Sequence, residues 1–461
     1  MSYTDVAAAF PVVVLVVGSG VAMIFERVFP ADEPVSGWLA ASVALAAATA
    51  AIIAGTGDDA FGGLLRRDGA AVFATAVLGL STAAAMALDA GQQRPRDLPL
   101  RGRYAYSLLA AAGAVLMATA ADLLVVFLSV EVLFMSVFAL VAGTRAPATP
   151  DASREVFVLC GTASALFAAG VGLVWSETGT FATGSLATIA TPAGQAGTAL
   201  IVIGLACFAG LAPFHWWVAT ASEALTAPSA SLVAILPRVA ALIALMRCGA
   251  VITTSGSASL DWRACLAILA AASLVLGAIS ALSESSLKKT VAHLSVGYSG
   301  LLAVAAAAGT GAGAAVAIGV ACYALLVTGA YALISFMPSD APTIGDLNGL
   351  ARRRPLSAAA LGITLVALAG LPPTVGFFSR LAIFEAAVDA QLAWLAFVAA
   401  FATVVSFAAS TRVIFAAVER GAGAVTVTRT VAAIAFATAL VALALGVVPD
   451  PLLELARSVR F

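Results

Sequence analysis

The chain has 461 residues, is 62% hydrophobic and 10% charged, and has a mean hydropathy of +1.07. A water-soluble protein cannot hide so much apolar surface, since globular domains run near half apolar and a quarter charged. A formal net charge of −1 with no basic tail or arm carries no nucleic-acid signal, and the composition reads as a polytopic membrane protein.

The opening "MSYTDVAAAFPVVVLVVG" has no positive leading region and no convincing cleavage site, so it reads as a retained first helix. A membrane span needs about 20 apolar residues. On that scale fourteen segments follow in order: 7–25, 37–55, 69–88, 105–120, 123–143, 155–175, 197–219, 229–250, 263–282, 290–308, 311–336, 356–386, 391–416 and 429–448. The predicted fold is all-α, a bundle of about fourteen transmembrane helices with short loops and no sizeable soluble domain. Its many Ala and Gly residues let helices approach closely where lipid removes the usual hydrophobic drive.

Two segments carry the same interruption. "FAGLAPFHWW" (Phe208 to Trp217) places Gly210 and Pro213 inside segment seven, and "LAGLPPTVGFF" (Leu368 to Phe378) places Gly370, Pro372 and Pro373 inside segment twelve. Proline deletes a backbone hydrogen bond and the glycine eases the bend, so both helices are predicted to unwind there. The echo comes five helices later, and an odd interval inverts the second unit in the membrane, as in inverted-repeat transport folds. The predicted units are 1–104 (helices 1–3), 105–250 (first repeat, helices 4–8), 260–416 (second repeat, helices 9–13) and 425–461 (helix 14). Of the 23 Lys and Arg residues, fifteen fall on the side of the loops after odd-numbered helices and six on the other. That bias puts the odd loops in the cytoplasm and both termini outside.

Charge in mid-bilayer costs ~2.5–3.5 kcal/mol even on lenient scales, so each instance needs a reason. Glu131 lies nine residues after Asp122, about 13 Å along a helix, and Arg238 ten residues past Pro228, about 15 Å. Arg380 follows the second break by seven residues. Guanidinium does not give up its proton, so the arginines set potential rather than relay. His293 sits inside helix ten with Ser295 and Tyr298 nearby, a setting suited to proton transfer. His215, just past Pro213, suits either function or pinning of the broken helix; Lys288 and Lys289 suit anchoring at the cytoplasmic face. Five scattered cysteines without paired spacing read as packing residues, and two histidines make no metal site without carboxylate help. Without a phosphate loop or dinucleotide motif either, the chain is expected to bind no cofactor or metal, and redox chemistry is assigned to other chains.

In this order, "DLLVVFLSVEVL", "GLACFAGLAPFHWW", "APSASLVAILPRVA", "LKKTVAHLSVGYSG" and "LAGLPPTVGFFSRLAIF" resemble the proton-translocating, antiporter-like membrane subunits of respiratory complex I, NADH-quinone oxidoreductase. The likeness covers about residues 65 to 415, and the stretch "REVFVLCGTASALFAAGVGLVWSETGTF" favours the subunit-N branch over cation/proton antiporter and membrane-bound hydrogenase relatives. The resemblance implies that Glu131 is the helix-five acid whose charge state triggers proton movement. Arg238 and Arg380 stand where the family has lysines, His293 where it has tyrosine, and Tyr298 where it often has histidine. The helix-seven lysine falls on Phe208, which has no charge. By the resemblance, NADH, FMN, iron–sulfur clusters and quinone belong to partner subunits, and the partners are the other membrane subunits, lipid, water and protons. Second readings are a proton/sodium antiporter subunit and, from Phe208, a non-conducting scaffold.

Overall fold

The computed structural model describes residues 3–29, 34–92, 102–255, 262–337, 341–421 and 428–459. Arg94, Arg96, Arg101 and Arg460, which enter the charge count, lie outside them, as do the terminal residues. The described residues form helices and isolated β-bridges only. In order these are α1 (Tyr3–Val28), α2 (Val35–Ala54), α3 (Gly69–Gly91), α4 (Arg103–Thr119), α5 (Leu123–Ala142), α6 (Thr149–Thr178), α7 (Pro192–Phe208), α8 (Trp216–Ala224) and α9 (Ala227–Ser255). There follow α10 (Trp262–Ser283), α11 (Leu287–Ala308), α12 (Gly313–Ile334), the single turn α13 (Leu350–Arg353), α14 (Pro355–Ala369), α15 (Val375–Asp389), α16 (Ala393–Val418), α17 (Arg429–Val447) and α18 (Asp450–Ser458). Eleven described helices are long and apolar enough to cross a membrane. The predicted segments seven and twelve are each two helices, α7 with α8 and α14 with α15.

The repeat is visible in backbone bonds. At the start of α5, Leu123 N donates to Phe181 O and Thr183 N to Ala121 O, a bridge between helix five and the segment after helix six. At the start of α11, Leu287 N donates to Pro342 O and Ile344 N to Ser285 O, the same pair of bonds between helix ten and the segment after helix eleven. Asp122 caps α5 and Ser286 caps α11 through their side chains, and a short 3-10 turn follows each bridge.

These two bridges lie on opposite faces, and α9 measures the distance. Its first turn follows Leu225, whose carbonyl accepts from Lys288 beside the second bridge. Arg247, near its other end, binds Asp68 and the carbonyl of Ala118 beside the first. Twenty residues of helix separate Ala227 from Arg247, about 30 Å, the thickness of a hydrocarbon core. The second repeat is therefore inverted relative to the first. Three helices fill the middle: the apolar window of α9 is wholly enclosed by protein, and those of α11 and α12 are nearly so. The windows of α1 and α17 are mostly exposed and form part of the rim.

Candidate functional site: a buried polar axis through two broken helices

Both breaks are built the same way. α7 ends at Phe208, and Gly210 N donates to Cys207 O while Leu211 N donates to Ala206 O; α14 ends at Ala369, and Gly370 N donates to Ala367 O while Leu371 N donates to Val366 O. This is a Schellman ending, with glycine in the left-handed region at φ 65° and 81°. Pro213 and Pro373, each three residues past its glycine, follow cis peptide bonds. Helix resumes at Trp216 and at Val375, so the first break extends two residues beyond Pro213, to include His215. Orphan groups find partners in neighbours: Ala212 N donates to Ser273 Oγ of α10 (2.8 Å), and Trp217 Nε1 to Cys207 O (3.3 Å).

A guanidinium occupies each break. A Cβ on Gly210 would lie 3.0 Å from Arg238 Nε, and one on Gly370 would coincide with the Arg380 side chain. Helix C-termini carry about half a negative charge, so each buried cation is set against the end of a half-helix. Arg380 Nη2 donates to Leu368 O (2.7 Å) and Nη1 to Thr403 Oγ1 of α16 (2.9 Å). Arg238, with no exposed surface, donates from Nη1 to its own Ala234 O (2.8 Å), to Ser295 Oγ (2.9 Å) and to Tyr323 OH (3.0 Å).

Between the two arginines runs a set of hydroxyls. Ser295 Oγ and Tyr323 OH share a hydrogen bond of 2.7 Å, and Tyr323 OH also donates to Ala234 O (2.6 Å). One turn along α11, Tyr298 OH and Ser379 Oγ share one of 2.8 Å. The Tyr298 and Tyr323 rings sit 5.4 Å apart, and the Arg380 guanidinium lies 5.7 Å from the Tyr298 ring. Tyr323 and Ser379 escaped the sequence reading, although a tyrosine alone in the apolar run "VACYALLV" was a signal available there.

Other residues fall elsewhere than expected. Glu131 is half-buried on α5, turns to α6 and accepts a hydrogen bond from Ser164 Oγ. It makes no pair with Arg238, whose guanidinium is committed to α11, α12 and the first break. Phe208 is buried at the end of α7, so the cation at that break comes from α9 instead. Lys288 is not a surface anchor: it is buried, and its Nζ donates to Leu225 O (2.5 Å) and Glu223 O (3.4 Å), closing the end of α8. His293 is six residues into α11, about 9 Å from its start and short of mid-depth. It faces two groups the sequence did not join to it, the ring of His215 at 6.3 Å between centroids and Glu284 Oε1 at 3.6 Å from its Nε2. Lys289 is half-buried in the first turn of α11.

Residues 120–406 match the family described as NADH:quinone oxidoreductase/Mrp antiporter, transmembrane. NADH-quinone oxidoreductase subunit N of Rhodobacter capsulatus is 31% identical over 379 residues, 79% of this chain and 78% of its own length. The subunit N of Acidothermus cellulolyticus is 31% identical over 390 residues, 80% and 73%. In fold, a chain of respiratory complex I from Thermus thermophilus matches with a TM-score of 0.84 at 25% identity, over 96% of this chain and 98% of that one. A chain of the Mrp complex from a Dietzia species matches with 0.83 at 22%, over 99% and 97%.

Proposed function

The chain belongs to the NADH:quinone oxidoreductase/Mrp antiporter family of membrane subunits, and from that premise we propose that it works as the N-type subunit of a complex I-like NADH-quinone oxidoreductase. It couples quinone reduction elsewhere in the complex to proton translocation across the membrane. The observation that supports this reading is the enclosed polar axis, which runs through both helix breaks from Arg238 to Arg380. Glu131 is the switchable acid. The arginines are fixed charges that order the hydroxyls and water between them, and Ser295, Tyr323, Tyr298 and Ser379 are the groups that pass a proton on. NADH, FMN, iron–sulfur clusters and quinone reside on partner subunits. The chain lies in a prokaryotic plasma membrane beside other membrane subunits, with both termini extracytoplasmic, as the loop charges favour.

Phe208 and the Ser164 partner of Glu131 favour a second reading, a scaffold whose acid is silent. Glu131→Gln separates the two, because it keeps shape and hydrogen bonding but removes the charge. In the whole complex reconstituted into vesicles, protons moved per NADH oxidised should fall; a wild-type ratio establishes the scaffold.

A further inference from the structure

The second bridge marks one face of the bundle, and four groups descend from it in steps. Glu284 lies at that face, one residue past the end of α10, with its side chain 30% exposed. His293 is six residues into α11, about 9 Å down, and His215 is nine residues before the end of α8, about 13 Å down. Arg238 is eleven residues into α9, about 16 Å down, at the first break. The first three are the kinds of side chain that take up and release protons, and the structure places them in order.

We propose that Glu284, His293 and His215 form a proton-uptake route from this face to the break between α7 and α8. This rests on the translocating reading above and names its point of entry. The Glu284 carboxylate takes a proton from water and gives it to His293 Nε2, 3.6 Å from Oε1. His293 then releases a proton from Nδ1, a buried atom with no hydrogen-bond partner, toward His215. The 6.3 Å edge-on spacing of the rings is one that a single bridging water spans. His215 Nδ1 is likewise buried without a hydrogen-bond partner of good geometry, and the Pro213 backbone carbonyl lies within reach of that ring. His293 ends neutral with its proton on the other ring nitrogen, His215 holds the transferred proton as an imidazolium, and one proton has moved inward.

The charges around the route fit a path with a valve. Arg238 from α9 and Lys289 from α11 are the cations whose fields reach the histidines. Glu223 of α8 is engaged by Ser286 (2.6 Å), and Arg412 of α16 donates to the backbone carbonyl of Glu284, leaving the Glu284 carboxylate turned to His293. A proton that reaches His215 meets the fixed Arg238 charge, so onward movement waits on a change in that field.

The test uses the complete complex in sealed vesicles, with protons moved per NADH oxidised as the readout. Glu284→Gln and His293→Gln should each lower that ratio, and Glu284→Asp, which keeps a carboxylate at the mouth, should restore most of it. A wild-type ratio in Glu284→Gln, or an Asp variant no better than Gln, overturns the route. Glu131→Gln is measured beside them. Loss there with a full ratio in Glu284→Gln removes the route and leaves the translocating function standing, whereas a full ratio in both removes both.

Discussion

At the scale of single residues, the two glycines at the breaks differ in what surrounds them, and the difference can be measured. Both hold a positive φ that costs another residue about 1–2 kcal/mol. At Gly210 a new Cβ would sit 3.0 Å from Arg238 Nε, a contact that a shift of a few tenths of an ångström relieves. At Gly370 it would displace Arg380 from Leu368 O, a further loss of about 1.5–3 kcal/mol for a hydrogen bond to a charged group. Gly370→Ala should therefore lower the thermal stability of the assembled subunit more than Gly210→Ala. Equal shifts in melting would mean that Arg380 is not seated on the break.

At the scale of elements, α3 and α9 are joined at their ends by Asp68 and Arg247, with Nη1–Oδ2 of 2.6 Å and Nη2–Oδ1 of 2.8 Å. Asp68 also caps α3 by accepting from Ala71 N. Burial works against its charge, but the hydrogen bonds and charge of Arg247 outweigh burial and hold the carboxyl below its ordinary value. A depressed value means the pairing is fully present above the unfolded pKa of about 3.9 and is lost as pH falls through the folded one. Arg247→Met leaves burial opposed only by the Ala71 N–H and the charge of Arg66, which raises the carboxyl relative to the wild type, so the variant should lose stability at pH 7, near the low end of about 3–5 kcal/mol since Asp68 is partly exposed. The deficit should narrow toward pH 4 as the carboxyl takes up a proton. Melting curves at the two pH values decide it, and a deficit constant with pH would contradict the account. This pair was not legible in the sequence because its members are 179 residues apart on helices with no amphipathic face to orient them. The breaks were legible because glycine and proline act locally. Helix order was legible for the same reason, since an apolar run declares itself without its neighbours, but lengths were not: α6 spans Thr149–Thr178 where the apolar run gave 155–175. The partners of Arg238 and the burial of Lys288 depend on which helices meet, and a uniformly apolar, uniformly small-residue bundle conceals that.

At the scale of the whole molecule, the proposed orientation rests on fourteen crossings, which leave both ends on one side, and on the excess of Lys and Arg on the odd loops, which favours the outside for that side. A reporter active only in the cytoplasm, fused after Phe461, should be silent, and one fused in the segment between the second bridge and α14 should be active. The opposite pattern would turn the molecule over and send the Glu284 mouth to the outer surface. The enclosure of α9 also bears on how the chain is made. Arg238 finds its hydroxyl partners 57 and 85 residues later, on α11 and α12. A nascent chain that has just delivered α9 to the bilayer holds a guanidinium still without its hydroxyl partners, on a helix whose apolar window is wholly enclosed in the finished protein. The setting of that charge is thus complete only when three further helices, α10 to α12, have followed α9 into the bilayer.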